Sequence, residues 1–183
     1  MTLTIRDKAD TLATFRFVSV HLMETLARWV PTTPELEIKT LFGRHIWDLA
    51  QHADLLGKRT FELRAALHYS RRPSGDYWRE LERLSAVTAT ADRIANMYDV
   101  LLPDLAARYE RYVGEADPLL DEPSVRVIER IVADFPRLAG DRAAVAHERA
   151  DLGAARRSPD GLGAITQFVD FRPSTETAAA EAP

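Results

Sequence analysis

The chain predicts an all-α protein: an antiparallel up-down-up-down four-helix bundle with a short irregular C-terminal tail. Three observations predict it. Apolar residues recur at helical spacing through four long stretches, and no stretch alternates with the period of two that marks a half-buried strand. Pro- and Gly-containing clusters separate the stretches. The connections are short, which makes successive helices antiparallel neighbours. The chain has 183 residues, enough for one hydrophobic core. Residues 1–157 are assigned to the bundle and 158–183 to the tail.

The first helix is expected from about Thr4 to Val30, with Leu22, Leu26 and Trp29 on its buried stripe. It stops at Pro31-Thr-Thr-Pro34, where Thr33 suits an N-cap and Pro34 a first helical residue. The second is expected from about Glu35 to Tyr69, burying Ile38, Leu41, Phe42, Leu49, Leu56, Leu63 and Leu67. Arg71-Arg-Pro-Ser-Gly75 ends it. The third runs from about Asp76 to Val113, with Pro103 as a kink point. Its apolar face is Leu81, Leu84, Ala91, Ala95, Tyr98, Leu102 and Leu105, and Ser85 to Ala91 is a run of small residues that suits close helix packing or a pocket. Asp121-Glu-Pro-Ser124 opens the fourth, which Pro136 and Gly140 weaken in its middle. In the tail, Ile165, Phe168, Val169 and Phe171 are apolar enough to fold back onto the bundle, whereas Ser174 to Pro183 has the composition of a disordered segment.

Composition excludes several functions. The net charge of −4 leaves no electrostatic footprint for nucleic acid. The basic pairs Arg71-Arg72 and Arg156-Arg157 fall near expected helix ends, where they complement the helix dipole. Cysteine is absent, so no disulfide, thiolate metal site or thiol nucleophile exists. No apolar run reaches the ~20 residues that span a bilayer, and the expectation is a cytoplasmic protein. No Gly-rich phosphate loop, nucleophile elbow or metalloprotease motif occurs.

His45 and His52 are the residues that point to a site. Seven residues return a helix to nearly the same face, and that face is the apolar stripe of the second helix. Two ionisable rings on such a stripe each demand a polar partner. Matching heights across antiparallel neighbours, at about 1.5 Å per residue, sets Asp92 near His52, and Tyr98 and Asp99 near His45. His21 and Glu24 come near the level of His45 from the first helix, and Asp134, Arg137, Asp141 and Arg142 from the fourth. Facing angles are less favourable: Asp92 and Asp99 lie about 110° from the centre of their helix's apolar face, and Glu24 nearly opposite its own.

Trp47-Asp-Leu-Ala-Gln-His-Ala-Asp-Leu-Leu56 resembles the second-helix segment of the ferritin-like superfamily, where an acid precedes a His-Ala pair and Leu-Leu follows. Asp121 to Asp134 is similar to the start of that fold's fourth helix. The resemblance covers about the first 150 residues and implies a ferritin-like bundle. It also implies metal binding and non-haem oxidoreductase chemistry, with His52, Asp48 and Glu24 at ligand-like positions. The pattern departs from the family at Leu49, which stands three before His52 where a Glu is usual, and at Asp134-x-x-Arg137, where the second His is missing.

Two functions follow, with a small-ligand binder using the space beside Ala89 and Ala91 as a third possibility. In the first, His45, His52, Asp48, Glu24, Asp92 and Asp99 hold Fe, Mn or Zn, metals that suit imidazole and carboxylate ligands. In the second, the chain is a non-catalytic structural or partner-binding bundle whose core histidines form a polar network with Asp48, Tyr98 and nearby arginines. Association is suggested by Gly43, Ala50 and Gly57, which repeat every seven residues on the back of the second helix beside Ile46, Trp47 and Phe61. Another helix of the chain or a homodimer partner would pack there.

Overall fold

The computed structural model describes residues 3–152 and 161–171. It is all-helical, with no strand among the described residues. The expected helix-end role of Arg156-Arg157 and the expected disorder of Ser174 to Pro183 lie outside those residues.

Helix α1 (Ile5–Trp29) starts with a reciprocal cap: Thr4 accepts from the Asp7 N–H, and Asp7 accepts from the Thr4 N–H. It ends in a single tight turn, Val30–Thr32. Thr33 does not cap the next helix, as the sequence suggests. It is buried, donates to the Trp29 carbonyl at 2.8 Å, and so satisfies the end of α1. Helix α2 (Leu36–Glu62) packs along α1, with Leu12, Val18, Leu22 and Leu26 meeting Phe42, Leu49 and Leu56 in the common core.

Helix α2 stops at Glu62, well short of the expected end at Tyr69. Ala65, Ala66 and Leu67 favour helix locally, but long-range bonds overrule them. The Tyr69 hydroxyl donates to the buried Asp10 at 2.6 Å, and the Arg71 N–H donates to the Ala13 carbonyl. Tying this segment to the start of α1 bends it through Arg64 and His68, both at positive φ. Leu67, expected in the core, is therefore exposed.

The third expected helix is broken. Helix α3 (Gly75–Ser85), capped by Ser74, ends just before Ala86, and α4 (Thr90–Ile94) restarts the chain. Of the small residues expected to pack or line a pocket, Ala86 to Ala89 thus form a turn, while Ser85 ends α3 and Thr90 and Ala91 open α4. Asn96 Nδ2 donates to the Leu84 carbonyl and Arg93 Nε to the Val87 carbonyl, sealing the break. A π-helical stretch, Ala95–Leu101, then leads into α5 (Leu102–Glu115). Pro103 lies at the start of α5; its ring would crowd the carbonyl four residues back in a regular helix, and the widened stretch ahead of it relieves that.

The fourth expected helix is also interrupted. Helix α6 (Glu122–Val132) ends before Pro136, and α7 (Phe135–Glu148) begins with that proline in its first turn, whereas Gly140 is absorbed within α7. Residues 161–171 return across α1, α3 and α5. Phe168 packs on Phe15 and Tyr77, and buried Arg108 donates to the Leu162 and Ile165 carbonyls while bonding Asp104. No helix among the described residues is long and apolar enough to cross a membrane.

Phe168→Ala would leave the space between Phe15 and Tyr77 unfilled, at a cost of about 3 kcal/mol, the lower end for an aromatic truncation. Urea unfolding would read that loss, and an unchanged midpoint would show that residues 161–171 contribute nothing to the core.

Candidate functional site

The apolar stripe of α2 carries His45, Asp48 and His52 at positions i, i+3 and i+7. Helix α7 and the residue before it carry Asp134, Arg137 and Asp141 at the same spacing. The two segments face each other in opposite directions, so three pairs form in one row. His45 Nε2 lies 3.2 Å from Asp141 Oδ2, Arg137 grips both oxygens of Asp48 at 2.7 and 3.1 Å, and His52 Nε2 lies 2.9 Å from Asp134 Oδ2. Arg137 also reaches Asp134 at 3.5 Å and Asp141 at 3.8 Å, which joins the three pairs into one network.

The partners set the tautomers. Carboxylates face Nε2 of both rings, so Nε2 carries the proton in each. His45 Nδ1 is then an acceptor and takes the Tyr98 hydroxyl proton at 2.7 Å. The bonds run in one direction, from Tyr98 through His45 to Asp141. Tyr98 belongs to the π-helical stretch, and burial keeps its phenol protonated far above the usual range. His52 stacks on Phe135, and its Nδ1 is buried without a hydrogen-bond partner among the described residues. A bare ring lone pair is the less costly group to leave there than an unpaired N–H.

Both rings are buried, 0% exposed at His45 and 1% at His52. Burial lowers the pKa of each below the ordinary 6.5, outweighing the bonds to Asp141 and Asp134 that favour the charged form. At Asp134 burial pushes upward, and the bond and charge of His52, with Arg137, outweigh it and hold the carboxyl below its ordinary value.

The six metal-ligand candidates do not come together as one group. His45, Asp48 and His52 share the network, with Arg137 on Asp48. Asp99 turns to Arg142 at 3.9 Å, Asp92 is half-buried on α4, and Glu24 is exposed. Among the described residues no set of three or more His, Asp or Glu side chains is arranged to hold a metal ion. The other histidines are separate: His21 Nε2 pairs with Ser85 Oγ at 3.0 Å, where burial and then Arg28 push its pKa down to about 4, and His68 and His147 are exposed. Height matching found Tyr98 for His45 and placed Asp134, Arg137 and Asp141 at the right level. It assigned Asp92 to His52, where Asp134 stands instead. The missed signal was the shared i, i+3, i+7 spacing of the two segments. No family model, curated protein or solved structure matches this chain.

The unfolded chain protonates its histidines near 6.5, and the folded chain does so only at lower pH. Stability from the neutral rings is therefore complete above about pH 6.5 and is lost as pH falls toward the folded-state values. The depressed Asp134 contributes above its ordinary 3.8 and is lost below that, as pH falls through its folded value. Denaturant unfolding between about pH 8 and about pH 5 should show decreasing stability, and His45→Gln with His52→Gln should reduce the slope to the part that the buried His21 carries. A flat profile in the unsubstituted protein would contradict the burial of neutral rings.

Proposed function

We propose that this chain is a structural, partner-binding helical module, its helices forming an antiparallel four-helix bundle of ferritin-like form whose core histidines set helix register. One observation carries the reading: Arg137 stands among Asp48, Asp134 and Asp141, where a metal centre would place its cation. A fixed guanidinium satisfies those carboxylates and repels a dication. The histidines spend Nε2 on carboxylates, and His45 spends Nδ1 on Tyr98 as well. This donor set does not suit the Fe, Mn or Zn that the ferritin-like resemblance implies.

The network's role is then specificity. Pairs of this kind add little net stability over apolar packing, but losing one partner leaves the other stranded. The partner-binding part rests on the outside of α2, where Trp47 is 67% exposed and Phe61 57%. Large apolar side chains left exposed along one helix face mark an interaction surface.

Elemental analysis of protein purified without an affinity tag, before and after anaerobic Fe(II) addition, should find no stoichiometric metal. Asp134→Ala should lower stability by about 1–3 kcal/mol by stranding the buried His52 N–H. Stoichiometric Fe, Mn or Zn that disappears in His45→Ala and His52→Ala would overturn the proposal in favour of a metal centre.

A further inference from the structure

Gly43, Trp47, Ala50, Asp54, Gly57 and Phe61 fall within about 40° of one line along α2, by the 100° turn per residue. This line faces away from the polar network. Its glycines are not required by packing among the described residues. Among the described residues, a Cβ at Gly43 would meet nothing within 4 Å, and one at Gly57 would meet only the flexible Arg16 side chain, at 3.0 Å. Each glycine inside a helix costs about 1 kcal/mol relative to alanine. Beside Gly57 lies a groove of about 460 Å³ between α1 and α2, floored by Ala50, Ala53 and Gly57 and walled by Met23, Phe61 and Leu67. Leu67 is 66% exposed, so this wall stands open to solvent.

We infer that this face pairs with the same face of a second copy of the chain, antiparallel about a two-fold axis, each Phe61 covering the other copy's Gly43 and each Trp47 packing against the other copy's Asp54 and Lys58. The inference rests on the partner-binding reading above and names the partner. A two-fold interface must be self-complementary, and this helix face is. In the register that sets Trp47 opposite Gly57 of the second copy, Phe61 falls opposite Gly43 and Ala50 opposite Asp54. Phe61 meets a glycine, and Trp47, on the Arg44 edge of the line, meets the apolar stem of Lys58. Charges agree in the same register. Arg44 and Glu62 lie at the same angle, about 100° from the centre line, on the edge away from α1. A two-fold axis keeps that edge in common, which brings Arg44 of one copy within about 3 Å in height of Glu62 of the other. Both are exposed in the single chain, Glu62 bonding Arg59 on its own helix. Asp54 is not stranded, because Lys58 pairs with it at 2.7 Å.

Sedimentation equilibrium on the full chain at micromolar concentration tests this. The chain should be a dimer, and Trp47→Ala should raise its dissociation constant by at least about 30-fold, as expected for a central aromatic anchor. Far-UV circular dichroism should remain unchanged, since Trp47 is exposed in the single chain. Arg44→Glu and Glu62→Arg should each weaken self-association, because each brings like charges together across the axis. Mixing the two variants should restore a heterodimer, since the all-acidic edge of one then faces the all-basic edge of the other at both contacts. A monomeric unsubstituted chain, a dimer indifferent to Trp47→Ala, or a mixture no tighter than its components would each overturn the inference. None of these outcomes alters metal content, so the register-setting role of the histidine network is judged separately.

Discussion

The arrangement of this chain depends on burying two neutral imidazoles between α2 and α7. A ring sealed from water must have its N–H accepted, because an unpaired buried donor costs about 1–3 kcal/mol. Asp141 and Asp134 meet that demand from the other segment, and Arg137 between them meets the carboxylate of Asp48. The contact is therefore fixed in position along the helix as well as in face. Apolar ridges alone tolerate sliding by a turn or a heptad. Here a one-heptad slip in one direction sets His52 against Val127. A slip in the other sets Arg137 against Leu55 and Leu56. Both strand a polar group, which is the sense in which such a network specifies a structure it does little to stabilise.

Two prolines and a widened helix let the partners meet. Pro136 stands in the first turn of α7, just past the end of α6, which sets Asp134 at the junction and Arg137 and Asp141 in the first two turns beyond it. Pro103 opens α5, and the π-helical stretch before it carries Tyr98 to His45 Nδ1. A regular helix through Ala95–Leu101 would rotate Tyr98 relative to the residues beyond it, since each extra residue in a turn shifts the following face by about 100°. The irregularities thus coincide with the polar contacts they serve.

Much of this was legible in the residues. The all-helical class follows from the 3.6-residue period, and the demand of His45 and His52 for partners follows from their place on an apolar stripe. Tyr98 was found by height alone. The early stop of α2 was not legible: Ala65, Ala66 and Leu67 favour helix, and the bond from Tyr69 to Asp10 that overrules them spans a sequence separation no local pattern reveals. The break at Ala86–Ala89 was hidden for a similar reason, since Asn96 and Arg93 seal it from beyond the turn. For His52 the acid on the neighbouring third helix was expected, and the acid on the fourth was found. Heights constrain position along an axis but not rotation about it, and Asp92 falls about 110° from the centre of the apolar face expected for its helix.

Helix α2 divides its work by face. The inner face carries polar groups at core positions and needs long, specific side chains from α7 to satisfy them. The outer face carries glycines at positions where the single chain would accept alanine, flanked by aromatics in water. Each face departs from what isolated helix stability favours, one by burying imidazole and the other by exposing indole beside glycine. A sequence free to maximise the stability of the monomer would reverse both choices. The inward departure is accounted for by the row of pairs with α7. The outward one has no counterpart among the described residues, and a second copy of the same surface is the counterpart proposed for it.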